Sequence, residues 1–160
     1  TGIFSDLPST AATQKYRRVL LRKKMKAEGA FSKLLGDIQI ELLQAMDRVP
    51  KKLFENRFWG DCGYIHLCFD TLDMETLQAE LKTKGYPFTV DSGTSFGMDA
   101  AAGRFAYVED PDGTLIELVE THKVPVLKKL GWFLNIKKGG NQKPLKDWML
   151  KAMALNRVKN

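Results

Sequence analysis

The feature that most constrains the chain is the run from Arg104 to Val119. Two β-prone stretches, Arg104-Phe105-Ala106-Tyr107-Val108 and Thr114-Leu115-Ile116-Glu117-Leu118-Val119, are joined by Asp110-Pro111-Asp112-Gly113. Proline favours the second position of a type I turn and glycine tolerates positive φ after it, so this segment predicts a tight hairpin. Side chains alternate across a strand, which puts Ile116 and Leu118 on one face and Glu117 on the other. The apolar face must pack on helices, so the carboxylate turns away from them.

The end of this hairpin has an echo. Gly36-Asp37-Ile38-Gln39-Ile40-Glu41-Leu42-Leu43 parallels Asp112-Gly113-Thr114-Leu115-Ile116-Glu117-Leu118-Val119, with a shared Ile-Glu-Leu at the end of each unit. Ahead of the first copy, residues 16–23 and 30–35 predict two strands of a hairpin around 26–29, and 38–43 a third strand. Residues 1–14 mix small and polar residues without periodicity. The stretch 45–62, with a proline, many charges and aromatic residues, predicts a connecting loop that covers something. The second unit opens with the β-prone run Tyr64-Ile65-His66-Leu67-Cys68-Phe69. Asp73 caps a helix carrying Met74, Leu77 and Leu81 at helical spacing, and Gly85 ends it. A strand at 87–90 and a Gly-, Ser- and Ala-rich loop at 91–103 lead into the hairpin. The expectation is an α+β domain over residues 1–122, in which a partial first unit (15–44), a linker (45–62) and a second unit (63–122) build one curved, mostly antiparallel sheet.

Three polar residues then share the concave face. Glu41 opposes Ile40 and Leu42, His66 opposes Ile65 and Leu67, and Glu117 opposes Ile116 and Leu118. Two carboxylates and an imidazole suit Zn, Ni, Mn, Co or Fe(II), with water filling an open position. Taken singly, each residue is equally a solvated or hydrogen-bonded strand residue; the repeat is what joins them. Cys62 and Cys68 bracket His66, but C-x5-C lacks the close pairing of structural zinc motifs, so both are read as reduced thiols of a cytoplasmic protein.

The segment Gly103 to Leu118 resembles the closing hairpin of vicinal oxygen chelate proteins, the superfamily of glyoxalase I, methylmalonyl-CoA epimerases and extradiol dioxygenases. Gly63 to Phe69 resembles the opening strand of a unit in that family, and Leu35 to Leu43 is similar to the end of its preceding unit. The match covers about residues 15–121. The resemblance implies paired βαβββ units forming a cup, with Glu41, His66 and Glu117 as ligands of one divalent ion. It also implies that a small-molecule substrate binds through two adjacent oxygens, with Glu117 as the proton-shuttling base and Tyr107 as a hydrogen-bond donor to a substrate oxygen. The family's first strand supplies a fourth ligand, and its place falls about ten residues before Thr1, on the 51-residue spacing between His66 and Glu117. A second copy of the chain exchanging a strand is another source, which makes a homodimer one expected arrangement. His122, beyond the final strand, is a poor substitute.

Three functions follow from the resemblance. The favoured one is a metal-dependent lyase or isomerase of the lactoylglutathione lyase or epimerase kind, because Glu41 occupies the extra ligand position those enzymes use. The rivals are a non-haem Fe(II) ring-cleavage dioxygenase and a small-molecule binding protein without catalysis. Charge separates the tail from the rest. Residues 123–160 carry +9 of the net +6, leaving −3 for the remainder. Leu145, Trp148, Met149, Ala152 and Met153 follow helical spacing, so 123–160 is expected to be a helical extension docked on the domain or a partner. Contact with a membrane surface is the alternative for it. No nucleic-acid partner is expected, since no reading motif accompanies the local charge.

Overall fold

A computed structural model describes residues 15–24, 28–52, 55–56, 58–93, 96–98, 101–136 and 142–156 of the chain. Eight strands and two α-helices are present among them, in the order β1 (Tyr16–Lys23), β2 (Ile38–Ala45), β3 (His66–Asp70), α1 (Met74–Thr83), β4 (Val90–Asp91), β5 (Phe96–Met98), β6 (Ala101–Glu109), β7 (Leu115–Leu127), β8 (Trp132–Asn135) and α2 (Asp147–Met153). The fold is mixed α+β and mostly strand, with a C-terminal helix.

The strands form two sheets rather than the single one expected. β1 and β2 make an antiparallel ladder of their own, while the second sheet runs β3-β7-β6-β4, with β5 on β6 and β8 on β7. Between the ladder and the edge strand β3 lies a groove of about 420 Å³, lined in part by Ile38, Ile40, Cys68 and Phe69. Among the described residues the two units therefore face each other across a groove, their strands paired in separate sheets.

The second unit follows its sequence closely. The Asp110 to Gly113 turn closes through Gly113 N–H to the Asp110 carbonyl (2.9 Å) and Asp110 N–H to the Thr114 carbonyl (3.0 Å), and the Asp110 carboxylate accepts from the amides of Asp112 and Thr114. Gly113 adopts φ 83°, which a side chain would resist. Asp73 caps α1 by accepting from the Thr76 amide at 3.1 Å. Met74, Ala106, Val108 and Leu118 are buried together, with Phe69, Leu77, Leu81, Phe88 and Ile116 packed around them. Ala106, Val108, Ile116 and Leu118 thus face α1, and the odd-numbered residues between them, Glu117 and Tyr107 included, face the other side. At the far end of this interface Arg104, buried, grips Asp91 of β4 through two bonds of 3.0 and 2.6 Å and donates to Gln78 of α1 at 3.0 Å.

Other expectations need correction. Residues 30–35 form no strand; a 3-10 turn at Ser32–Leu34 stands there, and β1 pairs directly with β2. The backbone here closes on itself, with Leu34 N–H donating to the Phe31 carbonyl at 2.8 Å and Leu35 N–H to the Ser32 carbonyl at 3.3 Å, and its leading end is bonded to the tail: Gly29 N–H donates to the Gln142 carbonyl at 3.0 Å, and the Ala30 carbonyl accepts from Leu145 N–H at 2.9 Å. The 87–90 strand shortens to Val90–Asp91, and part of the 91–103 loop pairs as β5. The tail is not simply helical. β7 runs on to Leu127, and β8 returns along it before α2. Lys123 pairs with Ala102 on one side and Asn135 on the other, so β8 continues the edge that β3 occupies further up. Trp148 stacks on Trp132 with ring centres 5.5 Å apart, and Lys33 pairs with Asp147 at 2.6 Å. No helix among the described residues is long and apolar enough to cross a membrane.

Candidate functional site

Strand pairing brings three of the four proposed site residues together. The parallel pairing of β3 with β7 sets Cys68 beside Glu117, and the antiparallel pairing of β6 with β7 sets Tyr107 beside it on the other flank. His66, two residues before Cys68, shares that face. Its Nε2 lies 3.0 Å from Glu117 Oε2, with side chains 23% and 19% exposed, and the Tyr107 hydroxyl donates to Glu117 Oε1 at 3.1 Å. The carboxylate is thus held between an imidazole and a phenol.

Glu41 does not join them, which corrects the expected triad. It lies on the separate ladder, and Arg18 binds its carboxylate through Nε at 2.6 Å and Nη2 at 3.1 Å in an exposed ion pair. Nor does His122: its even-numbered position turns it to the opposite face of β7, where Nε2 lies 3.3 Å from Glu120 Oε2. Among the described residues no group of three or more His, Cys, Asp or Glu gathers as a metal shell.

The electrostatics follow from burial around one carboxylate. Burial first, and then the hydrogen bond and negative charge of Glu117, push the Tyr107 phenol up to about 12, so it remains a donor at neutral pH. The same causes in the same order push the Cys68 thiol up to about 11, which keeps it protonated. Burial alone raises Asp70.

Two site features escaped the sequence reading. Cys68 was set aside with Cys62, although its parity with His66 already placed it on the site face. Trp59, from the loop after the first unit, lies 5.6 Å from the His66 ring and 5.9 Å from the Tyr107 ring, centre to centre. The aromatic content of that loop was its signal; nothing in the sequence specified where the ring would land.

A divalent ion can be tested against these residues. His66 Nε2 and Glu117 Oε2 are adjacent donors of the type Zn, Ni, Co or Fe(II) takes, and His66 Nδ1 is buried with no hydrogen-bond partner among the described residues. The pair fits part of a coordination shell. Oxygens of solvent or substrate, or donors outside the described residues, would complete it.

A strand-helix-strand unit with a hairpin thus holds a histidine and a glutamate together on its open face. The family model for the glyoxalase/bleomycin resistance protein/dioxygenase superfamily matches residues 13–118, and the chain belongs to that superfamily. A solved glyoxalase family protein from Bacillus cereus is similar at 19% identity and a TM-score of 0.41, over 52% of this chain and 53% of that one. The chain thus spans about half the length of that relative. No curated protein matches it.

Proposed function

We propose that the chain acts as a divalent-metal-dependent lyase or isomerase on a small molecule with two adjacent oxygens. The observation that carries this reading is the placement of Glu117, with one oxygen 3.0 Å from His66 Nε2 and the other 3.1 Å from the Tyr107 hydroxyl. His66 and Glu117 would hold the ion. When bound, it would supply Lewis-acid polarisation of the two substrate oxygens. Glu117 is the base that takes the proton from the carbon beside them, since a carboxylate on the open face reaches a substrate there without crossing the sheet. Tyr107 orients that carboxylate and offers its hydroxyl to a substrate oxygen once Glu117 turns.

Calorimetric titration with Zn, Ni, Mn, Co and Fe(II) tests the first half. His66→Ala and Glu117→Gln are expected to weaken binding at least tenfold, and unchanged affinity in both would reject the assignment. Solvent deuterium exchange into α-hydroxyketones and thioesters, followed by NMR, tests the second half. Oxygen uptake dependent on Fe(II), with no such exchange, would move the chain to the dioxygenases.

One observation favours a second reading. Only two donors of the expected three converge, Glu41 being engaged by Arg18, and a binding protein on this fold needs no metal at all. Ligand affinity that survives full chelation by EDTA would select that reading.

A further inference from the structure

The open face carries more aromatic surface than a proton transfer requires. Phe105, two residues before Tyr107 and on its face, meets the Tyr107 ring at 6.0 Å, and Phe96 of β5 meets Phe105 edge-on at 5.2 Å and 86°. At the other end Trp59, His66 and Tyr107 stand 5.6 to 5.9 Å apart with ring planes crossing at 57° to 80°. The five rings form a continuous strip that starts at the loop above His66 and ends at the sheet edge. Trp59 is held there by a short turn, in which Phe58 N–H donates to Asp61 Oδ2 at 3.0 Å and Asp61 N–H to the Phe58 carbonyl at 3.2 Å, with Gly60 at φ 97°. Yet Trp59 is 63% exposed and Phe96 43%. A strip of large apolar rings left partly in water beside a polar site is the signature of a surface that a ligand covers. Steeply crossed rings leave both faces and edges for another flat ring to meet.

We infer that the site takes a ligand whose adjacent oxygens are attached to a flat aromatic or conjugated body, and that Trp59 is the residue that selects this body. The inference rests on the proposed role of His66 and Glu117 only for the oxygen end. Trp59 contributes at the ligand's ring and takes no part in proton transfer.

The test uses two probes with the same chelating group, benzohydroxamate and acetohydroxamate, titrated by calorimetry into the full zinc-loaded chain. Benzohydroxamate is expected to bind about tenfold more tightly. Trp59→Ala should weaken benzohydroxamate about two- to tenfold, the range of an aromatic pair, and leave acetohydroxamate unchanged. Trp59→Phe, which keeps a flat ring, should restore most of the loss. Thermal melting of both variants should match the parent, because the ring is mostly in solvent. A benzohydroxamate preference that Trp59→Ala changes less than twofold overturns the inference, as does failure of benzohydroxamate to bind. Glu117→Gln separates the two readings: equal weakening of both probes supports the oxygen end, whereas undiminished binding of both removes that end and leaves the Trp59 comparison to decide the ring end.

Discussion

Asp91→Asn perturbs the clamp between sheet and helix while preserving its shape. Arg104 is 7% exposed at its side chain and Asp91 25%, and the pair is joined at 2.6 and 3.0 Å, with Gln78 completing the guanidinium's partners. Removing one charge from a fully buried pair costs about 3–5 kcal/mol, because the other stays buried without compensation. Two features lower that here. Water reaches the partly exposed Asp91, and Glu120, opposite Arg104 on β7 and 3% exposed, keeps a second carboxylate within electrostatic range of the guanidinium. A loss of about 2–3 kcal/mol remains, which for a chain of this size is about 5–10 °C in Tm. Urea and thermal melts at pH 7 read it directly, and a cycle with Arg104→Met isolates the coupling. The sign with pH is also fixed. Hydrogen bonds from Arg104 hold the Asp91 carboxyl below its usual 3.8, so its stabilisation is complete above that value and is lost as pH falls through the lower folded pKa. The gap between parent and variant should therefore be constant from pH 7 to about 5 and narrow only in stronger acid. A loss below about 0.5 kcal/mol at pH 7, or a gap that widens as the pH falls below about 4, would refute the reasoning.

Ending the chain after Ile136 removes the bonds that Gly29 and Ala30 N–H donate to Gln142 and that Leu145 N–H donates to Ala30, the Lys33–Asp147 pair and the Trp132–Trp148 stack. Melting temperature should fall while zinc binding at His66 and Glu117 persists; unchanged stability and mass with loss of liposome sedimentation would instead assign the tail to a membrane surface. Gly103→Ala puts a Cβ 2.6 Å from the Glu120 carbonyl oxygen, so the β6–β7 ladder must shift, at about 1–3 kcal/mol by urea melting. Tyr107→Phe removes the hydroxyl that steadies Glu117 and should weaken metal binding about 10- to 100-fold by calorimetry with little change in fold.

Local chemistry explains which parts of this architecture were legible in the sequence. The 110–113 turn, the Asp73 cap and the alternation in β7 are each decided by a few adjacent residues, and each stands where those residues put it. Parity likewise sufficed to bring Tyr107, His66 and Glu117 to one face, because all three lie on strands of one sheet. Glu41 shows the boundary of that argument: parity fixes a face within a ladder but not where the ladder lies, and Arg18, a residue of the same face, took the carboxylate. Residues 30–35 have β propensity, but Phe31 to Leu35 bond locally as a 3-10 turn while the Ala30 carbonyl takes its partner from Leu145, more than a hundred positions away, which no local pattern encodes. Trp59 is a similar case, since a loop's composition says that it can cover something without saying what.

The strict alternation of β7 has a consequence for how this chain can vary. Because β7 writes alternate residues onto opposite faces, Glu117 lies on the open face of the sheet while Leu118 and Glu120 lie on the buried one. A single residue gained or lost between Leu115 and Thr121 would exchange the two sets, sending a carboxylate into the core and core residues onto the open face. Substitutions on either face can be accepted one at a time, but length cannot drift there. Insertions and deletions should be tolerated instead between β2 and β3, where a change in length alters how Trp59 sits over the open face and leaves the alternation of β7 untouched.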